Sequence, residues 1–371
     1  MTAASHEFWM YVGTYTRLAG LSGERSEGIY TYRFNQATGE ITPVGSPTAI
    51  SNPSFLALSP GGEYLYAVNE MTELVGGRHA GAVSAYRVDR TTGALTYLNQ
   101  LPTNGTSPCH LVVDATGKWV LVTNYTSGSV CVLSVQEDGS LGHMADFVQH
   151  TGSSVNPQRQ QEPHPHSINL DAANQFAFVP DLGTDKVVIY RFDATTAKLT
   201  PHHEQPWART HSGAGPRHME IHANGKLICV ANELDSSLTV FTVDLDKGVM
   251  HEVDTQSSLP PDFKGKSWCA DLHIHPSGKT VYISNRGHDS IAVFALDDTT
   301  GAIKPLEYVL TGGQTPRNFA VSPNGAWLLA ANQNSSDIHL FSIDPKSGRL
   351  SATGRSIKSP APVCIKFLAV A

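Results

Sequence analysis

Six segments of the chain repeat one 19-residue pattern, and this repetition limits the possible folds more than any other feature. Each copy carries a proline at its second position, or Cys269 in the fifth copy, and reaches an asparagine or aspartate 16 residues later. The copies span residues 52–70, 107–125, 164–182, 215–233, 268–286 and 315–333. Strand-like repeats with a period of roughly 50 residues are typical of a β-propeller or a solenoid.

Each repeat predicts four strands. In the first copy, apolar residues 55–58 predict a strand, the polar residues 59–62 a turn, and residues 64–68 the return strand. A third strand follows every copy, and a fourth begins at a leucine such as Leu350. Four strands per repeat make one propeller blade. No segment shows a sustained apolar period of 3.6 residues, so we expect almost no helix.

The two ends of the chain supply one more blade. Residues 8–14 align with the return strand of the first copy, whereas residues 362–365 align only with an opening strand. We therefore predict an all-β, seven-bladed propeller with the N- and C-terminal strands paired in one blade. Such closure removes the open sheet edges. The whole chain, 1–371, is expected to form one domain.

Composition excludes several classes of partner. The formal net charge is −7 and no cluster of lysine or arginine offsets it, so we expect no nucleic-acid partner. No apolar run is long enough to span a membrane, and residues 1–10 show no basic region followed by an apolar core, so we expect neither membrane insertion nor Sec export. The five scattered cysteines contain no C-x-x-C pair. These features predict a cytoplasmic protein, either a monomer or a weak homo-oligomer.

The repeat register predicts where a functional site would lie. The first strand of a blade is innermost and runs antiparallel to the return strand. The residue after the proline (the opening position) and the residue after the asparagine (the closing position) should therefore meet at one mouth of the channel. Opening positions carry His166, Arg217 and Arg317. Closing positions carry Glu70, Glu233, Arg286 and Gln333. The convergence of these polar side chains from several blades predicts a site there.

Other interpretations of these residues remain open. Arg217 and Glu233 belong to one copy and can equally form an ion pair that joins the strands of a hairpin. His218, one residue beyond the opening position, can be a packing histidine. The H-x-H pair His164 and His166 suits a metal, but no third ligand lies at suitable spacing, so we predict no metal and no cofactor.

Five short motifs resemble those of one known family. P-H-x-H at 163–166, G-P-R-H-M at 215–219, A-N-E-L at 231–234, S-N-R-G-H-D-S-I at 284–291 and T-P-R-N-F-A-V-S-P at 315–323 are similar to motifs of the seven-bladed-propeller lactonases. That family includes propeller-type 6-phosphogluconolactonase and the fungal 3-carboxy-cis,cis-muconate lactonizing enzyme. The resemblance implies a functional histidine (His164 or His166), with Arg217, Glu233 and Arg286. The internal register favours His166.

The chemistry of lactone opening suggests a role for each residue. His166 can take a proton from water and return it to the ring oxygen. Arg217 can stabilise the oxyanion, and Glu233 can orient these groups or act as the base. Arg286 and Arg317 suit an anionic substituent of the substrate. Four further residues are predicted to contact the substrate: His164, His218, Glu70 and Gln333.

Three functions remain open at this stage. The first is hydrolysis of a small anionic lactone, 6-phospho-D-glucono-1,5-lactone. The second is a muconate-type cycloisomerase, and the third a propeller that serves only as a binding platform, because fold alone permits all of them. The connecting segments 15–27, 71–80 and 150–163 are longer than their counterparts, and each is either a lid over the site or a surface loop.

Overall fold

The computed structural model describes residues 6–17, 25–72, 74–75, 78–79 and 81–371, and in these residues every regular element is a β-strand. In chain order the strands are β1 (Glu7–Thr14), β2 (Gly28–Asn35), β3 (Glu40–Pro43), β4 (Thr48–Ala49), β5 (Leu56–Leu58), β6 (Tyr64–Asn69), β7 (Leu74–Val75), β8 (Arg78–His79), β9 (Ala82–Val88), β10 (Leu95–Pro102), β11 (Pro108–Val113), β12 (Trp119–Asn124), β13 (Ser129–Val135), β14 (Leu141–Gln149), β15 (Asn169–Leu170), β16 (Phe176–Asp181), β17 (Lys186–Asp193), β18 (Lys198–Pro201), β19 (Trp207–Arg209), β20 (Pro216–Ile221), β21 (Leu227–Asn232), β22 (Ser237–Asp244), β23 (Val249–Ser257), β24 (Trp268–Ile274), β25 (Thr280–Arg286), β26 (Ser290–Leu296), β27 (Ile303–Leu310), β28 (Pro316–Val321), β29 (Trp327–Asn332), β30 (Asp337–Ile343), β31 (Leu350–Lys358) and β32 (Pro362–Ala369).

These strands form seven antiparallel blades, as predicted from the repeats. Blade 1 is β5-β6-β9-β10, blade 2 is β11 to β14, blade 3 is β15 to β19, and blades 4, 5 and 6 are β20 to β23, β24 to β27 and β28 to β31. In blades 3 and 7 the outermost strand is split into two short pieces, β18 with β19 and β3 with β4. The pair β7 and β8 forms a separate small sheet.

Blade 7 is assembled from both ends of the chain, as predicted. β32 is its innermost strand, and β1 pairs with β32 on one side and with β2 on the other. The pairing joins Val12 to Ile365 and Phe8 to Ala369. In the described part of the chain, no helix is long and apolar enough to cross a membrane.

The alternation of side chains along each strand places the apolar core between the blades. Buried residues of neighbouring blades pack together, as Leu227 and Val240 of blade 4 do with Val281 and Phe294 of blade 5. Tyrosine hydroxyls also join adjacent blades, because Tyr66 donates to the Gly139 carbonyl at 3.0 Å. The blades therefore hold the inner strands in fixed positions around the channel.

The opening positions of blades 2, 4 and 6 coincide with β-bulges. In blade 4, Pro216 pairs with Asn232 but His218 pairs with Ala231, which leaves Arg217 as the extra residue. The same shift occurs around Cys109 in blade 2 and Arg317 in blade 6. A bulge redirects the side chain of its extra residue and is common beside functional sites.

Candidate active site

A cavity of about 320 Å³ lies at the mouth of the channel where the opening and closing positions meet. This volume lies within the usual range of small-molecule sites. Seven of its lining residues occupy opening or closing positions, as the register predicted, and the two others are Arg159 and Trp268. The seven are Glu70, Cys109, Tyr125, His166, Glu233, Arg286 and Arg317.

Glu233 is the centre of the charged network. Its Oε2 accepts a hydrogen bond from Arg217 Nε at 3.0 Å and forms an ion pair with Arg286 Nη2 at 2.9 Å, and its Oε1 accepts a hydrogen bond from Arg159 Nη2 at 2.7 Å. Arg286 Nη2 donates its hydrogen bond to the Cys269 carbonyl at 3.0 Å. Burial alone would raise the pKa of Glu233, but Arg286, Arg217 and Arg159 outweigh that effect and hold the pKa well below its usual range. Glu233 is therefore a fixed negative charge and a poor proton acceptor.

Arg217 lies beneath the cavity and is not one of its lining residues. The side chain is 2% exposed, and besides Glu233 it donates from Nη1 to the Ala270 carbonyl at 2.5 Å. Burial, with the nearby Arg317 and Arg286, lowers the pKa of Arg217 to about 10, so it stays protonated at neutral pH. The hairpin ion pair with Glu233 is present, yet it is one part of a network that spans three segments of the chain.

His166 reaches the cavity as a neutral imidazole. Its Nε2 lies 4.0 Å from Glu233 Oε2, and its Nδ1 lies 3.7 Å from Cys109 Sγ. Burial, together with the charge of Arg217 and the proximity of His218, lowers the pKa of His166 well below its usual value. At neutral pH the ring is therefore unprotonated and carries a free lone pair, and its low pKa makes it a weak base.

Cys109 also lines the cavity and is a candidate nucleophile. Burial raises the pKa of its thiol to about 12, and Glu70 adds to the effect. The thiolate is the nucleophilic form of cysteine. Because Cys109 remains a thiol at neutral pH, its environment does not favour covalent catalysis by sulfur.

Arg317 is held differently from the other arginines. Its guanidinium lies 5.3 Å from the ring centroid of Tyr15, a cation–π contact. Glu70 accepts hydrogen bonds from Tyr15 Oη at 2.8 Å and from Ser54 Oγ at 2.5 Å. Among the described residues, no hydrogen bond or ion pair engages the Arg317 guanidinium, which leaves its donors free to bind a ligand.

The repeat register did not identify Arg159 or Trp268. Arg159 lies in the long segment 150–163 and donates to the Tyr125 hydroxyl at 3.0 Å in addition to Glu233. Trp268 is 40% exposed and pairs with Arg286 across the blade 5 hairpin. The sequence signals of these positions were the unusual length of segment 150–163, for Arg159, and an aromatic residue beside Cys269, for Trp268.

Three predicted substrate contacts do not line this cavity. His164 donates from Nδ1 to the Tyr125 carbonyl at 2.9 Å and stacks on the Tyr125 ring. His218 donates to Asp271 at 2.7 Å and lines a second cavity further along the inner strands. The Gln333 amide donates to Asn334 at 3.0 Å. A substrate-binding role for these three residues stays a prediction.

The predicted long segments are described to different extents. Residues 18–24 of the first segment, and residues 73, 76–77 and 80 of the second, lie outside the described residues. The third, 150–163, is described in full and reaches the cavity through Arg159. Within the described ranges, no group of three or more His, Cys, Asp or Glu side chains is arranged to hold a metal ion.

The chain belongs to the family of seven-bladed β-propeller lactonases, whose pattern it matches over residues 9–367. It is 34% identical to the 6-phosphogluconolactonase of Bacillus subtilis strain 168 over 96% of this chain and 97% of that protein. It is 33% identical to the 6-phosphogluconolactonase of Formosa agariphila, with 92% and 94% covered. The periplasmic gluconolactonase PpgL of Pseudomonas aeruginosa superimposes with a TM-score of 0.90 at 34% identity, with 98% and 100% covered. The family expected from the sequence motifs, and with it a lactone-hydrolysing enzyme, is confirmed.

Proposed function

We propose that this protein hydrolyses 6-phospho-D-glucono-1,5-lactone to 6-phosphogluconate. The observation that carries the proposal is the pairing, in one cavity, of a neutral His166 with an unengaged guanidinium, Arg317. The first can accept a proton from water, and the second suits a phosphate group. The names of the relatives from Bacillus subtilis and Formosa agariphila support the same substrate.

The reaction needs one proton acceptor and one stabiliser of negative charge. His166 takes a proton from the attacking water, and the water oxygen forms a bond to the lactone carbonyl carbon. The charge that develops on the carbonyl oxygen is stabilised by a guanidinium that lines the cavity, and we assign Arg286 to this role. The bond from the carbonyl carbon to the ring oxygen then breaks. The His166 imidazolium returns the proton to the departing alkoxide.

The remaining charged residues have separate roles. Both carboxylate oxygens of Glu233 are engaged by arginines, which leaves no oxygen free to take a proton from water, so we propose that Glu233 fixes the guanidiniums. Arg217 lies below the cavity and is proposed as a positioning residue for Glu233 rather than as the oxyanion donor. Arg317 is proposed to bind the phosphate, with Arg159 at the rim.

The setting of this reaction is also part of the proposal. We place it in the pentose phosphate pathway, in the cytoplasm, catalysed by a single propeller domain that is a monomer or a weak homo-oligomer. We propose that the partner is the anionic lactone alone, without nucleic acid or membrane. The P. aeruginosa relative is described as periplasmic, so fractionation of cells is the direct check of the compartment.

The test compares the KM of wild type and of an Arg317 variant on two lactones, one with a phosphate and one without. Purified wild type, Arg317→Ala and the exposed control Arg349→Ala are assayed on freshly prepared 6-phosphoglucono-1,5-lactone and on glucono-1,5-lactone, with correction for spontaneous hydrolysis. Hydrogen bonds to charged groups contribute about 1.5–3 kcal/mol, so Arg317→Ala should raise KM for the phosphorylated lactone roughly 10- to 100-fold. KM for the neutral lactone should change far less. Absence of turnover in the wild type, or equal loss on both lactones, would refute the proposal.

A further inference from the structure

Arg159 differs from the other charged residues of the cavity because it lies outside the repeated blade pattern. It belongs to residues 154–160, which we call the strap. The strap is closed on itself by the Ser154 amide, which donates to the Gln160 carbonyl at 2.9 Å, and by the Asn156 amide, which donates to Gln160 Oε1 at 3.0 Å. Besides the bonds of Arg159 to Tyr125 and Glu233, further contacts hold this closed unit against the blades.

The carboxylate of Asp185 is one of these contacts; another is the Leu182 carbonyl, to which Gln160 Nε2 donates at 2.8 Å. Asp185 is 2% exposed and has a left-handed backbone, with φ of 53°. From the strap, Gln160 Nε2 donates to its Oδ1 at 2.7 Å and Ser154 Oγ donates to its Oδ2 at 2.5 Å. Gln160 is the direct neighbour of Arg159, so these bonds fix the backbone from which the guanidinium extends.

The same carboxylate also holds the segment that leads into β20. Gly215 N donates to Asp185 Oδ1 at 2.8 Å, and Gly213 N donates to Oδ2 at 2.7 Å. The Gly215 carbonyl in turn accepts the Glu233 amide at 2.7 Å. Each oxygen of Asp185 therefore joins one strap donor to one donor of this segment, and the segment is bonded to the backbone of Glu233.

Asp185 makes two kinds of bond, one to the strap and one to the segment before β20, and the other blades show which kind is common to them. The equivalent turn position is left-handed in blades 4, 5 and 6 as well, at Ser236, Asp289 and Ser336. Asp289 also accepts a backbone amide from the segment that leads into the next blade, that of Thr315 at 2.8 Å. Asp289 therefore makes an equivalent bond to the segment that leads into the following blade. The bonds to the strap are made by Asp185.

We propose that Asp185 is a positioning residue that holds the strap and so presents Arg159 to the anionic group of the substrate. Asp185 does not line the cavity, so its effect on binding passes through the strap. The part that concerns substrate rests on the function proposed above. The part that concerns the strap does not depend on it.

The substitution Asp185→Asn tests both parts. If the NH₂ group of the new amide replaces Oδ1, the bond from Gln160 Nε2 is lost. If it replaces Oδ2, the Ser154 hydroxyl can turn to accept, but the Gly213 amide loses its acceptor. In both orientations the strap loses the charge of its acceptor, which weakens the bonds that remain. Trypsin cleaves after arginine, and cleavage of the Arg159–Gln160 bond reports opening of the strap. We expect cleavage at this bond, followed by mass spectrometry, to be about tenfold faster than in the wild type. Asp193→Asn, at an exposed turn of the same blade, is the matched control and should leave the rate unchanged.

Kinetics then show whether Asp185 acts through Arg159. Asp185→Asn should raise KM for the phosphorylated lactone several-fold with little change in kcat, and should add nothing in an Arg159→Ala background. Unchanged cleavage, or KM effects that multiply in the double variant, would overturn the proposal. If Asp185→Asn does not fold, Ser154→Ala removes one strap bond alone and is judged by the same criteria. If the wild type hydrolyses neither lactone, the proposed function fails, and the cleavage rates still decide whether Asp185 holds the strap.

Discussion

The substitution Glu233→Gln should destabilise the protein substantially, because it removes a buried carboxylate that is paired with three guanidiniums. The Glu233 side chain is 5% exposed, and Arg217 beneath it is 2% exposed. Removal of one partner from a buried ion pair typically costs about 3–5 kcal/mol. An unfolding entropy of roughly 2.1 cal/mol/K per residue gives about 0.8 kcal/mol/K for a chain of this length. The expected decrease in Tm is therefore about 4–6 °C.

The pH dependence of this difference follows from the pKa of Glu233. Because that pKa is lower in the folded protein than the unfolded value of about 4.3, the stabilisation is complete well above pH 4.3. It is lost as the pH falls below that value toward the folded pKa. Differential scanning calorimetry should show a constant Tm difference between wild type and Glu233→Gln above about pH 5.5, which shrinks from about pH 4.5 downward.

Glu307→Gln is the matched control for this experiment. Glu307 pairs with one arginine, Arg349, whose side chain is 48% exposed. Surface pairs of this kind contribute about 0–1 kcal/mol, so the control should lower Tm by about 1 °C or less. Equal effects of the two substitutions, or a Tm difference for Glu233→Gln that grows as the pH falls, would show that the arginine network does not stabilise the fold as argued.

The remaining predictions concern activity. His166→Ala should lower kcat by about 10²–10⁴-fold, whereas His203→Ala, which removes an exposed histidine, should not; similar rates for both variants would exclude His166 as the base. Because the pKa of His166 is depressed, kcat/KM for glucono-1,5-lactone, which has no titrating phosphate, should stay level as the pH falls through 6.5 and decline only at lower pH, and initial rates from pH 7.5 to 5 that decline around pH 6.5 would contradict this. Activity should survive dialysis against a chelator, and a loss that zinc or calcium restores would show that a metal site was missed.

The fold was predictable because one spacing fixes a whole blade. The distance of 16 residues from proline to asparagine sets the hairpin register, and Pro108, Pro216 and Pro316 each pair with the asparagine that the repeat assigns to them. The same register identified most of the residues that line the cavity. It could do so because the location of an opening or closing position at the mouth of the channel is set by the propeller fold, whichever residue type occupies it.

The details that the register missed depend on packing. Arg159 lies in a segment without counterparts in the other blades, so no repeat indicates where it reaches. Arg217 and Arg317 occupy equivalent bulges, yet the first extends beneath the cavity and the second into its wall. The difference arises from the neighbouring blade, whose Ala270 carbonyl accepts a hydrogen bond from Arg217. The spacing of the repeats alone cannot predict that side chains at equivalent positions extend in different directions.

The shared blade has a consequence for how the protein is made. β1 leaves the ribosome well before its inner partner β32, because Val12 pairs with Ile365, about 350 residues later in the chain. At a synthesis rate of about 5–20 residues per second, β1 waits roughly 20–70 seconds for that partner. Throughout this interval one edge of β1 is a strand edge without its native neighbour, so the newly made propeller is exposed to edge-to-edge aggregation until β32 pairs with it.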